Sequence, residues 1–285
     1  MHRRALAVLV ASVAALLAVS LAFSISWAEA SATTPKTYHR IISLSPTITE
    51  DLFAVGAGKQ VIAVDQDSNY PKKAPRTTLS GLDPNVEAIS KYHPDLVVFS
   101  YTGPYVKQLR ELGIKVVIEP APAKLNGAYQ EIKQLGQLTG HVAGATSVVR
   151  SMKSQLQAIV RSVPLSHRHL RVYHELDPTY YSATSDTFIG RIYSLFGFKN
   201  IADAADTQHT GYPQLSAEYI LQSDPQIIVL ADGQTPAEVA ARPGWNTISA
   251  VKDHRVVAVN EDIASRWGPR IVDFARAVAA IARKD

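Results

Sequence analysis

The stretch EAISKYHPDLVVFS, Glu87 to Ser100, returns 131 residues later as EYILQSDPQIIVLA, starting at Glu218. The glutamate, an isoleucine, a proline and a run of four apolar residues all recur in register. Each copy reads as a short helix, a proline break and a strand buried on both faces. Arg40 to Ile42 (RII) and Arg171 to Tyr173 (RVY) repeat the same offset on a shorter match. A chain that writes helix, break and strand twice at one spacing is constrained to two similar lobes. The alternative, one continuous sheet, would have to use both copies side by side.

The rest of the chain fits two lobes. Ile41 to Leu44 reads as a strand stopped by Ser-Pro, and SPTITEDLFAVGAG as a helix with Gly56 as its stop. Thr47 with Glu50 three residues on has the pattern of a capping box. The segments VIAV, LVVF and KVVI then alternate with polar turns and helical patterns, as in a parallel α/β sheet. From His141 to Val163 there is no strand pattern. Ala145, Val148, Val149, Met152, Leu156, Ile159, Val160 and Val163 recur at three- and four-residue steps, which predicts one amphipathic helix of about six turns. Alternation resumes with LRVYHEL, DTFIGRIYSLFG, SAEYILQS, PQIIVLA and HRVVAVNED, and ends in a helix over PRIVDFARAVAAIARK. The expected fold class is therefore α/β: two similar lobes with mainly parallel sheets, joined by one long α-helix, with a ligand cleft between them. The expected boundaries are 38–140 for the first lobe, 141–165 for the linking helix and 166–285 for the second. Loops at the carboxyl ends of both sets of strands would face the cleft, where open α/β sheets bind ligands.

Residues 1–32 read as a targeting segment. MHRR is basic, Ala5 to Trp27 is a 23-residue apolar stretch, and AEASA offers small-residue cleavage sites after Ala30 or Ala32. The stretch is longer than a usual leader core, so an uncleaved anchor competes with a cleaved signal peptide. The small-residue ending favours cleavage. Either way the folded part is expected outside the cytoplasm, on the periplasmic or extracytoplasmic side of the membrane. The chain has no cysteine, which excludes disulfides, thiolate metal sites and a lipidated cysteine. Without residues 1–30 the balance is 27 basic against 24 acidic residues, too mild for a nucleic-acid partner.

Catalytic signatures are missing. There is no G-x-S-x-G elbow, no H-E-x-x-H helix and no P-loop. GAGKQV at Gly56 follows a helix and lacks a third glycine, so it reads as a helix end. His167 and His169 in HRH sit in a polar boundary loop and read as solvated surface. His174, Glu175 and Asp177 are the one set that could serve a metal-dependent hydrolase; a polar cluster at a strand end is the plainer reading.

In order and spacing, RIISLSPTITEDLFAVGAGKQVIAVDQDSNYP, PNVEAISKYHPDLVVFS, TFIGRIYSLFGFKNIAD, PQLSAEYILQSDPQIIVL and DIASRWGPRIVDFARAVA resemble the class III periplasmic substrate-binding proteins of ABC importers. The resemblance runs from about His39 to Ala282 and is greatest to the cobalamin-binding branch. It implies an exported, non-catalytic protein without a cofactor of its own or a resident metal. Its partners would be a permease and ATPase complex and a transported corrinoid, and a monomer is expected. It also implies that Glu87 and Glu218, one on each lobe, dock on the permease. Ligand contacts are expected from Tyr70, Tyr101, Tyr180 or Tyr181, Tyr212, Asp262, Arg266 and Trp267. Trp267 departs from the cobalamin pattern that Asp262 and Arg266 match. Haem is the nearest competing ligand, with Tyr70 on the iron and His174 or His209 opposite. A ferric siderophore ranks third, because Arg266 is the one obvious cleft cation.

Overall fold

A computed structural model of the chain describes residues 36–284. The expected leader or anchor lies outside them. Among the described residues no helix is long and apolar enough to cross a membrane.

The first half contains β1 (Ile41–Leu44), α1 (Pro46–Val55), β2 (Val61–Val64), α2 (Val86–Ser90), β3 (Leu96–Phe99), α3 (Tyr105–Glu111), β4 (Lys115–Ile118) and α4 (Leu125–Thr139). Next comes α5 (Val142–Arg161). The second half contains β5 (Arg171–Glu175), α6 (Phe188–Leu195), β6 (Lys199–Asn200), α7 (Ala217–Ser223) and β7 (Ile227–Leu230). It continues with α8 (Pro236–Ala240), α9 (Ser249–Lys252), β8 (Val256–Ala258), α10 (Glu261–Ser265) and α11 (Ile271–Ala282).

The strands form two all-parallel sheets, ordered β2-β1-β3-β4 and β6-β5-β7-β8. Their topology is the same, and so is their central register. Ile41 pairs with Leu96 in the first sheet and Val172 with Ile227 in the second. Each residue of the second pair lies 131 positions after its counterpart, so the repeat seen in the sequence is a repeat of strand pairing.

Side chains alternate faces along these strands. Ile41, Leu96 and Val98 join one apolar cluster, while Ile42, Val97 and Phe99 join another on the opposite face. In the second sheet Val172, Ile227 and Val229 share the first cluster, and Tyr173, Ile228 and Leu230 form a third. Burial on both faces is what unbroken apolar strands require. One face of each sheet thus contributes to a single apolar core that runs through both lobes. Helix α5 crosses this shared core, burying Ala145, Val149, Met152 and Leu156 at helical spacing. It packs on α1, α4 and α11. Gly144 permits the closest approach: a β-carbon there would lie 2.0 Å from the Val55 carbonyl oxygen at the end of α1.

Two local expectations change. Helix α4 has no counterpart in the sequence reading, and it precedes α5 with only Gly140 and His141 between them. The Thr47–Glu50 capping box is not formed. Ser45 is the cap residue and Pro46 opens the helix. Proline pre-sets the helical φ and has no N–H to satisfy. Glu50 therefore lies a turn inside the helix, free to reach elsewhere.

Candidate functional site

The ends of β1, β2 and β3 and the segment around α10 enclose a cavity of about 500 Å³. The first lobe contributes Ser45 and Thr47 after β1, Asp65 to Asn69 after β2, Arg76, and Ser100 and Tyr101 after β3. The second lobe contributes Glu261, Asp262, Ser265, Arg266 and Trp267. A smaller cavity of about 230 Å³ lies between the loop after β4 (Ala121 to Ala123) and second-lobe loops at Asp186 to Phe188 and His209 to Tyr212. Both cavities are walled by both lobes, at the carboxyl ends of the first-lobe strands, where ligands of such sheets bind.

Half of the expected contacts line the larger cavity: Tyr101, Asp262, Arg266 and Trp267. Tyr212 lines the smaller one. Burial raises the Tyr212 phenol pKa, and the Tyr101 phenol adds to the rise, so these two rings from opposite lobes are electrostatic neighbours. Tyr70 lines neither cavity. It stands half exposed beside Asn69, joined to Pro71 by a cis peptide bond, with the Arg270 guanidinium 4.5 Å from its ring centre. Tyr180 and Tyr181 also line neither cavity. Tyr180 stacks on Trp245 with ring centres 5.9 Å apart, and the Arg242 guanidinium lies 5.2 Å from its ring. That apolar partner holds it in the second-lobe packing. Tyr181 is exposed and bridges to Gln214.

Three expected contacts are already engaged. Arg266 is 6% exposed and donates to Glu50 Oε1 at 2.7 Å, to Asp262 Oδ1 at 2.6 Å and to the Asp67 carbonyl at 3.4 Å. Asp262 Oδ2 accepts from Asn69 Nδ2 at 2.9 Å, a bond that spans the cleft. Trp267 is largely buried, donates its indole N–H to Glu131 Oε2 at 2.7 Å and meets Phe188 edge to face.

Beneath these groups lie buried carboxyls. Burial, then the Glu131 charge, raises Glu119 to about 7. Burial raises Glu131 to about 7 against the opposing Trp267 hydrogen bond. Asp51 is pushed well up by burial and by its acidic neighbours Glu131, Glu50 and Glu119. One oxygen each of Asp51, Glu119 and Asp65 is buried without a hydrogen-bond partner.

Several site residues escaped the sequence reading. Asp65, Asp67 and Asn69 lie in the DQDSNYP turn, which read as an undifferentiated polar loop. Arg76 lines the cavity with no ion pair or side-chain hydrogen bond among the described residues, and no local pattern singled it out.

His174 corrects two expectations. It is fully buried, its Nδ1 lies 2.6 Å from the Tyr193 hydroxyl, and burial lowers its pKa to about 3. It cannot face Tyr70 across the cleft. Nor does it converge with its neighbours on a metal. Glu175 points to the other face of the strand, held by Arg242, and Asp177 caps its own turn at Thr179. Among the described residues no group of three His, Asp or Glu side chains is arranged to hold a metal ion.

Twin parallel sheets, one shared core and a polar cleft with Tyr101 and Trp267 in its lining define a two-lobed ligand-binding protein. The periplasmic binding protein profile matches residues 41–263, and the chain belongs to that family. It is 32% identical over 244 residues to a substrate-binding lipoprotein of an ABC transporter from Bacillus subtilis, covering 82% of this chain and 76% of that one. It is 33% identical over 247 residues to a cobalamin-binding protein of Halobacterium salinarum, covering 82% of this chain and 66% of that one. Among solved structures, a possible iron-binding periplasmic solute-binding protein from Staphylococcus epidermidis superposes with a TM-score of 0.76 at 30% identity, covering 87% of this chain and all of that one.

Proposed function

We propose that this chain is the exported substrate-binding component of an ABC importer, and that its cargo is a corrinoid such as cobalamin. One observation carries the choice of cargo. The larger cavity is lined by four carboxyl side chains, Asp65, Asp67, Glu261 and Asp262, against two guanidinium groups, Arg76 and Arg266. Arg266 is already neutralised by Glu50 and Asp262. A polyanionic iron chelate would meet one uncommitted cation and an excess of acceptors. A bulky ligand edged with amide N–H donors would find acceptors for them, and Tyr101, Tyr212 and Trp267 could cover its apolar faces. The relative described as cobalamin-binding supports this reading.

The cleft would hold its cargo and release it unchanged, in keeping with the periplasmic binding protein family to which the chain belongs. Glu87 and Glu218 would present the loaded protein to the permease. Each is the second residue of its helix, α2 or α7, and each is exposed. Complementary charge at two fixed points would orient the encounter.

Haem is retained as a second reading on one observation, the exposed Tyr70 phenol beneath Arg270 at the cleft rim, where a phenolate on iron would lie beside a cation. Calorimetric titration with cyanocobalamin separates the two. Sub-micromolar binding, weakened about tenfold by Tyr101→Ala, is expected. No heat with cyanocobalamin discards the corrinoid reading. A Soret band in the purified protein, lost in Tyr70→Phe, establishes haem instead.

A further inference from the structure

Glu50 belongs to the first lobe, yet its partners are in the second. It sits on α1, is 3% exposed, and accepts from Arg266 at 2.7 Å and Arg270 at 3.0 Å, both through Oε1. These arginines come from residues 216 and 220 positions later in the chain. Each guanidinium then makes a second contact that leads back toward the first lobe. Arg266 holds Asp262, which in turn accepts from Asn69 across the gap. Arg270 covers the ring of Tyr70. Asn69 and Tyr70 are consecutive residues of one first-lobe loop. Two chains of contact therefore leave Glu50, pass through the second lobe and return to the first lobe at adjacent positions.

We propose that Glu50 is the positioning residue of the cleft: one buried carboxylate that sets the separation of the lobes at the Asn69–Asp262 end and the posture of the Tyr70 loop. The proposal deepens the binding reading above, and its structural part stands independently of which ligand is bound. A guanidinium held in a hydrogen-bonded ion pair is fixed in direction as well as in place. Arg266 therefore aims Asp262 from a fixed position. One bond from Nη1 goes to Glu50 and two from Nη2 go to Asp262 and the Asp67 carbonyl, so a ligand meets Asp262 already aimed. The same geometry explains why Glu50 is spent at this place and not on capping α1. Its Oε2 is buried without a hydrogen-bond partner, a cost with no local return at the helix start.

The test uses the full chain and exploits its lack of cysteine. Gln108 on α3 and Gln222 on α7 are both exposed. Replacing each with cysteine for nitroxide labelling reports the lobe-to-lobe distance by pulsed electron resonance without ligand. Glu50→Gln keeps the size and an acceptor but removes the charge. It is expected to broaden or lengthen that distance distribution, and Glu50→Asp is expected to recover part of the narrow one. Cyanocobalamin affinity, read on the same proteins well below their melting temperatures, is expected to fall about tenfold in Glu50→Gln. Unchanged distances and affinity in a variant that has merely become less thermostable would overturn the proposal and leave Glu50 a packing residue. Should Glu50→Gln not fold, Arg270→Met, which removes the more exposed of the two guanidinium groups, carries the same expectations with the smaller change. If cyanocobalamin fails to bind the unaltered chain, the corrinoid reading falls, and the distance measurement alone decides the role of Glu50.

Discussion

Glu175 in the second lobe and Asp51 at the lobe junction are both carboxyls with almost no exposure, and they are treated in opposite ways. Glu175 receives Arg242 through both of its oxygens, at 2.5 and 2.7 Å, with Gln234 and the Tyr173 hydroxyl completing its shell. Asp51 has one oxygen without any partner, and its electrostatic neighbours are other carboxyls, Glu131, Glu50 and Glu119. A buried ion that is fully paired locks a lobe internally. Buried acids left unpaired keep their protons and make the junction answer to pH. The two groups stand at non-equivalent positions, Asp51 on α1 and Glu175 on β5, so the difference is not one between the repeated sheets. It comes from where the chain places its arginines.

Removing Arg242 should give the largest effect on stability. Arg242→Ala leaves the buried Glu175 without its cation and held only by Gln234 and the Tyr173 hydroxyl, a loss on the order of 3–5 kcal/mol. Chemical denaturation should show it as a lowered midpoint. Survival of full stability would mean that the paired carboxylate is no lock at all.

The junction should respond less strongly and in a pH-dependent manner. Glu119 and Glu131 ionise near 7 in the folded chain, against an ordinary value of 4.5. The folded state therefore holds protons that the unfolded state has released. The stability these groups confer is complete below about 4.5 and is lost as pH rises through about 7. Glu119→Gln removes that penalty. It should gain roughly 1–3 kcal/mol over the parent at pH 8 and little at pH 4. Equal gains at both values would show that the carboxyl does not titrate in this window.

The surface glutamates should matter least to stability. Glu87 is 79% exposed and paired with Lys91, the residue after its own helix, and Glu218 bonds groups around its own helix start. Glu87→Ala and Glu218→Ala should leave the melting temperature unchanged while lowering ligand delivery to a reconstituted permease. Undiminished delivery by the double variant would remove them from the docking surface.

Much of the architecture was legible because it is local or periodic. The 131-residue repeat located β3 and β7 at matching positions, and Gly56 and Gly197, both with positive φ, mark helix ends as read. The three- and four-residue steps between Ala145 and Val163 located α5. The site was legible in part. Tyr101, Asp262, Arg266, Trp267 and Tyr212 do line the cleft cavities, whereas Tyr180 stacks on Trp245, a contact that no sequence pattern announces. Arg76 was missed because an arginine in a polar loop looks the same whether it faces solvent or a cavity.

By itself, then, the sequence determined two similar parallel α/β lobes and a single helix between them. Propensity, periodicity and repetition act over a few residues and can be read along the chain. Only the tertiary structure decided what Glu50 does. Locally it completes the pattern of a helix cap, yet its partners Arg266 and Arg270 stand more than two hundred positions away. The cost of burying a charge is met by whichever opposite charge the fold brings near, and distance along the chain carries no information about that.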